Sequence, residues 1–268
     1  MLLDFKFNGW GGKFDATLDT KINQQLFQQR LQPNSIQSLP ALKDASFQVQ
    51  SLDYVLEGGA IDTNGSGTLL ATRRCLLSEA RNPNFSLIEN EHFLKQTLGV
   101  ERILWLTHGT LEGDDTDSHI DTLARFISPS HIVYQACDDR NDTHYIELSL
   151  MANELKELQC EDGSAYQLTP LPLPSACFNK KGDRLPATYA NFLMINDAVL
   201  IPLYGVPEDE LALEIFSELF SLTPEGTSQA HQQRTVIGIN CRPLIEQFGS
   251  LHCITMNIMK PNSTIKES

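Results

Sequence analysis

The chain has 268 residues, 41% of them hydrophobic, and a formal net charge of −14. That length supports a sizeable core in one or two domains, and a surface so acidic repels nucleic acid and anionic membrane, so neither is an expected partner. No apolar run approaches the ~20 residues of a membrane span, and the start, Met1-Leu2-Leu3-Asp4-Phe5-Lys6, has no signal-peptide pattern.

In chain order, Leu18, Ile22 and Leu26 at a spacing of four predict a first amphipathic helix, and residues 47–56 read as a strand. Asn64-Gly65-Ser66-Gly67 predicts a hairpin turn, because Asn and Gly tolerate positive φ. A helix over about 89–99 precedes a strand at 102–106, and 132–134 reads as another strand. Leu148, Met151, Leu155 and Leu158 line a second amphipathic helix. Strands at 192–195 and 199–203 lead to a third helix, opened by Pro207-Glu208-Asp209 and lined by Ala212, Ile215, Phe216 and Leu219. Residues 235–239 and 253–258 read as strands, and the polar tail 259–268 is expected to fray.

Strand, turn, strand, helix, strand thus recurs about every 60–70 residues. Glu57, His119, Asn191 and Cys253 fall near one phase of that period, separated by 62, 72 and 62 residues. Polar residues at one phase would converge on a central axis if the units were arranged radially, as in a propeller. The six cysteines are scattered without a C-x-x-C pair, which points to reduced thiols in a cytosol rather than a disulfide framework or a zinc knuckle.

Three segments carry candidate chemistry. Glu112 to Thr122 holds five carboxylates and His119 in eleven residues. It lacks EF-hand spacing and a zinc ligand set, so a solvated acidic loop is its plain alternative. His119 and Asp121, two apart before Leu123 and Phe126, would share one face of a strand, where they could move a proton and hold a cation together. Cys253 follows Gly249-Ser250 and needs a neighbour that favours thiolate; in a strand His252 points to the opposite face and is the weaker candidate. Glu57 stands before Gly58-Gly59, where a ligand can pass close to the backbone.

The stretches FNGWGGKF (7–14), LEGGAIDTNGSGTLLATRRCLL (56–77), RNP (81–83), GDDTDSHIDTLARF (113–126), ATYANFLMIND (187–197) and VIGINCRPLIEQFGSLHCIT (236–255) resemble, in order, the agmatine deiminase branch of the guanidine-modifying (pentein) hydrolases. The resemblance implies an α/β fold, a five-bladed α/β propeller of ββαβ modules, in a single domain over 1–268. The family carries W-x-R-D-x-G-P upstream of its FNxWGG stretch, so the first blade, with one guanidinium-binding Asp, is expected to be missing. By resemblance Cys253 is the nucleophile, His119 the general acid/base, and Glu57 and Asp121 the carboxylates that hold the guanidinium. Asp115, Asp117, Asn191 and Trp10 are the candidate substrate contacts.

No metal or organic cofactor is implied. The implied substrate is agmatine, a small cationic guanidine on the route to putrescine, handled in the cytoplasm by a chain compatible with a homo-oligomer. Ser118, Gly249-Ser250 and Ala60-Ile61-Asp62 depart from the family's usual Gly, Gly-Gly and Ser-Ile-His at those places. A deiminase of another guanidine such as peptidylarginine, an inactive guanidine-binding protein and a metal hydrolase built on the acidic loop are the competing readings.

Overall fold

Parallel pairing joins β1 (Leu2–Lys6) to β2 (Val49–Val55), with Leu2 opposite Val49 and Phe5 opposite Leu52. The computed structural model describes residues 2–23, 25, 48–221 and 234–257. Where the sequence suggests one domain, the chain divides into two compact units. The first is Met1–Glu57 with Glu79–Asn82 and Met256–Ser268, and the second is Gly58–Ser78 with Pro83–Thr255.

The second unit is built from a repeated ββαβ module. In its first copy the side chain of Asn64 shapes the turn: Oδ1 accepts from the N–H groups of Ser66 (2.8 Å) and Thr68 (3.0 Å). Gly65 and Gly67 supply the positive φ that the turn needs, 72° and 85°. This hairpin joins β3 (Ile61–Thr63) to β4 (Thr68–Thr72) in antiparallel pairing. Helix α1 (Leu87–Leu98) starts at a capping box, in which Ser86 Oγ accepts from Glu89 N and Glu89 Oε2 accepts from Ser86 N. It ends at Gly99, which takes the left-handed conformation. The chain then returns as β5 (Arg102–Leu106), parallel to β4.

The second copy pairs β6 (Ala124–Ser128) antiparallel to β7 (His131–Gln135), crosses through α2 (Tyr145–Glu157) and returns as β8 (Gln167–Leu171), parallel to β7. The third uses β9 (Leu193–Met194), β10 (Ala198–Leu203), α3 (Glu208–Phe220) and β11 (Thr235–Asn240) in the same way. Glu208, Asp209 and Glu210 occupy the first turn of α3, where the helix dipole favours negative charge. A parallel return needs a crossover, and the amphipathic helix supplies it while covering its own sheet. Two apolar clusters result. Leu70, Leu106, Leu123, Ile132, Leu148 and Met151 fill one, and Phe192, Val199, Ile201, Phe216, Phe220 and Ile245 fill the other.

The period read from the sequence is therefore this module: Glu57, His119 and Asn191 precede the first strands of its three copies, and Cys253 follows the last strand of the third. Three expectations change or fall away. Residues 253–257 do not form a strand, and 258 lies outside the described residues: His252–Ile254 is a 3-10 turn, because a side chain from a distant loop satisfies its amide groups in place of a neighbouring strand. The expected first helix is described only in part: a 3-10 turn at Asp19–Lys21 leads into helical Ile22, Asn23 and Gln25, and Leu26 lies outside the described residues. The tail from 258 on also lies outside them. None of the described helices is long and apolar enough to cross a membrane.

Candidate active site

The acidic segment is shaped by Asp114, whose carboxylate accepts from Thr116 N (3.0 Å) through Oδ1 and from Ser118 N (2.7 Å) through Oδ2. These bonds hold Asp117 and Ser118 at φ 66°, a conformation that non-glycine residues adopt only when their surroundings impose it. Thr72 Oγ1 donates to the Ser118 carbonyl (2.7 Å) and fixes the loop to β4. The chain then passes through extended His119 into a 3-10 turn, Ile120–Thr122. His119 and Asp121 thus come together on a turn and not on the strand face that their spacing suggests. Both are buried, at 5% and 2% exposure.

Gly59 is the wall they meet: a Cβ there would stand 2.7 Å from His119 Nδ1 and 2.8 Å from Asp121 Oδ2. His119 Nε2 and Asp121 Oδ1 are buried without a hydrogen-bond partner among the described residues. A buried acceptor or donor in that state is costly unless a ligand completes it.

Asn191 organises the cysteine. It is fully buried, and its Oδ1 accepts from His252 N (2.8 Å) and lies 3.4 Å from both Cys253 N and Cys253 Sγ. Its Nδ2 donates to the Asp121 carbonyl (3.3 Å). Its amide thus ties the Cys253 turn to the Asp121 turn. Tyr204 Oη, bonded to Ser250 Oγ (2.8 Å) and donating to the Thr188 carbonyl (2.8 Å), backs the same segment.

His252 Nδ1 lies 2.8 Å from Asp121 Oδ2. Burial alone would raise the Asp121 carboxyl, but the His252 hydrogen bond, with electrostatic help from His119 and Arg125, outweighs it and holds the group below the usual carboxylate range. Arg125 is itself buried, donating from Nε to Asp62 Oδ1 (2.7 Å) and stacking over the Phe192 ring at 5.1 Å. Cys253 is exposed as a residue, yet its sulfur lies against fully buried Asn191. Burial first, and the Asp121 charge second, push its thiol up to about 12.

Four sequence candidates remain: Asp115, Asp117, Glu57 and Trp10. Asp115 and Asp117 are half-buried in the loop that Asp114 ties. Glu57 and Trp10 belong to the first unit. There Glu57 is buried and takes Arg81 Nε on both carboxylate oxygens, at 2.9 and 3.0 Å, so it already holds one guanidinium, the protein's own. Trp10 packs edge-on between Phe7 (5.0 Å) and Phe14 (5.5 Å). Sequence reasoning took Gly58-Gly59 only as room for a ligand beside the backbone, and it missed Asp114, Arg125 and the contact of His252. The last was in view beside Cys253 and was hidden by the strand assignment.

The far end of the acidic loop is latched by His144. Its Nε2 accepts from Glu112 N (2.7 Å) and its Nδ1 is 2.7 Å from Asp142 Oδ1, while Arg184 Nη2 donates to Asp142 Oδ2 (2.7 Å). Burial first, and Arg184 as well, lower the His144 pKa below 6.5, against the pull of Asp142. Protons then bind the unfolded chain in preference. This contribution to stability is complete above the unfolded value and is lost as pH falls through the folded one. Asp142 acts in a lower window. Burial alone would raise it, but hydrogen bonds from Arg184 and His144 hold it far below 3.8, so its contribution is lost only as pH falls from 3.8 downward. The melting temperature is expected to fall between about pH 7 and pH 5, with a shallower slope in His144→Gln. An unchanged slope in that variant would contradict the latch.

ββαβ modules whose leading loops gather an imidazole, a carboxylate and a thiol define a pentein-type α/β protein with a cysteine-centred site. The chain belongs to the family described as "Porphyromonas-type peptidyl-arginine deiminase", whose profile matches residues 1–258. It is 34% identical to a "Putative agmatine deiminase" of Vibrio parahaemolyticus, over 96% of this chain and 69% of that one. Among solved structures it resembles the "Putative Arginine Deiminase from Porphyromonas gingivalis", with TM-score 0.84 and 47% identity over 95% of this chain and 68% of that one. It also resembles a Cys-to-Ser variant of C. jejuni agmatine deiminase with substrate bound, with TM-score 0.79 and 37% identity over 94% and 66%.

Proposed function

We propose that this protein hydrolyses the guanidinium group of agmatine to N-carbamoylputrescine and ammonia. The observation that carries the reading is the meeting of three groups: an anionic buried carboxylate with one oxygen unpartnered, an imidazole with one nitrogen unpartnered, and a thiol steered by Asn191. A planar cation suits that set. It can donate to Asp121 Oδ1, and its positive charge beside Cys253 opposes the effects that disfavour thiolate. Glu57 is the second carboxylate assigned by the family resemblance.

In the first half of the reaction His119 takes the thiol proton and the Cys253 sulfur attacks the guanidinium carbon, forming a C–S bond. The tetrahedral adduct expels ammonia, which leaves with that proton from His119, and a thiouronium stays on Cys253. In the second half His119 takes a proton from water, whose oxygen attacks the same carbon. The C–S bond breaks with its electron pair on sulfur, which takes back the proton held by His119; the hydroxyl proton of the adduct is released to solvent as the carbonyl forms, and the ureido product departs. His119 thus serves both halves of the reaction. We read the enzyme as cytoplasmic and independent of metal or organic cofactor, on its scattered thiols and on this chemistry.

The test is ammonia release from a panel of agmatine, free arginine and arginyl peptides, with mass spectrometry of acid-quenched enzyme for a covalent adduct on Cys253. Agmatine is expected to give the highest kcat/KM. Preference for arginyl peptides would reassign the substrate, and absence of turnover with every guanidine would overturn the reading.

A further inference from the structure

The guanidinium of Arg125 has fixed partners on two sides: Nε donates to Asp62 Oδ1 (2.7 Å) and Nη1 to the Phe192 carbonyl (3.1 Å). Asp62 is fixed in turn, because Oδ2 accepts from Phe126 N (2.7 Å). The third nitrogen, Nη2, lies 3.5 Å from His252 Nε2. Arginine only donates, so Nε2 must carry a lone pair toward it. A proton there would set an imidazolium against a buried guanidinium. The imidazole proton is thereby assigned to Nδ1, which donates to Asp121 Oδ2 at 2.8 Å.

We propose that His252 is a positioning residue: locked as the neutral Nδ1–H tautomer between Arg125 and Asp121, it fixes the Asp121 carboxylate so that Oδ1 alone is left for the substrate cation. Neutrality is essential to the role. The groups around the imidazole are Asp121 and Arg125, with His119 beyond the first and Asp62 beyond the second. An imidazolium would cancel the Asp121 charge that the substrate needs. The backbone of the same residue donates to Asn191 Oδ1, and Cys253 follows it in the chain. One residue therefore sets the carboxylate and the sulfur relative to each other. Asp62, where the family commonly has His, belongs to this chain of contacts through Arg125. The inference rests on the deiminase reading of the site.

Two measurements test it, and one needs no turnover. Imidazole ¹⁵N spectra of the wild-type protein should show His252 protonated on Nδ1 and bare on Nε2 under the conditions of the activity assay. His252→Ala should lose kcat/KM for agmatine by about 10- to 100-fold, chiefly through a raised KM. His252→Asn keeps a donor near the Nδ1 position and should recover to within about fivefold of wild type. A residue that merely fills space would show no such rescue. The proposal is overturned by an Nε2–H or imidazolium spectrum, by wild-type KM in folded His252→Ala, or by His252→Asn no better than alanine with both variants folded. Wild-type silence on every guanidine would instead overturn the deiminase reading, and the nitrogen spectrum would still decide the tautomer.

Discussion

Cys253→Ala is expected to lower ammonia release from agmatine by a factor on the order of 10⁴ or more, with the melting temperature shifted by no more than about 2 °C. The activity loss is large because the proposed route needs a sulfur lone pair to form the C–S bond, and no other nucleophile stands where Asn191 holds the thiol. The stability change is small because Cys253 is exposed as a residue and alanine keeps the backbone N–H that faces Asn191 Oδ1. The raised thiol pKa adds a sharper form of the prediction. Burial and the Asp121 charge keep the unliganded enzyme in its thiol form at neutral pH. A neutral alkylating agent such as iodoacetamide should therefore react slowly at pH 7. A cationic haloacetamidine carries its own positive charge to Asp121, favours thiolate as the substrate would, and should inactivate much faster. Equal rate constants for the two reagents would show that the cation has no part in activating the sulfur.

The ββαβ repeat was legible because each of its parts has a local cause. Asn64 and the glycines beside it make a turn wherever they occur, and α2 and α3 show their apolar faces at helical spacing. The shared phase of His119, Asn191 and Cys253 followed from the repeat, and Asn191 joins the loops of the other two. What the sequence concealed depends on partners far apart in the chain. Residues 253–258 have the composition of a strand, but Asn191, about sixty positions away, takes the amides of His252 and Cys253 and bends the segment into a turn. No periodicity reports such a contact. Asp62 and Arg125, separated by 63 residues, are hidden in the same way: each reads alone as an ordinary surface charge, and only the fold sets buried Arg125 against Asp62. His119 and Asp121 were grouped correctly for the wrong reason, since a 3-10 turn and the missing side chain of Gly59 bring them together, not a strand face.

Gly59→Ala is expected to cut activity by about 10²-fold or more, the cost of displacing reacting groups by roughly an ångström, and to destabilise the fold by about 1–3 kcal/mol through overpacking. Glycine is not needed there for its backbone freedom, because Gly59 lies outside the positive-φ set of this chain. It is needed for space. An added methyl would stand 2.7 Å from His119 Nδ1, 2.8 Å from Asp121 Oδ2 and 2.9 Å from Asp121 Cγ, all well inside van der Waals contact. Neither neighbour can yield cheaply. Asp121 is held by His252, so its retreat breaks that bond, and His119 is packed at 5% exposure, so its retreat carries the proton-transferring nitrogen with it. Gly58 supplies the control: a Cβ at that position meets nothing within 4 Å, so Gly58→Ala should retain activity and stability. Steady-state kinetics and thermal unfolding of the two variants, side by side, separate loss of space from loss of glycine flexibility in the same turn. If Gly59→Ala turned over agmatine as fast as Gly58→Ala, the imidazole and the carboxylate would not be working from the positions described.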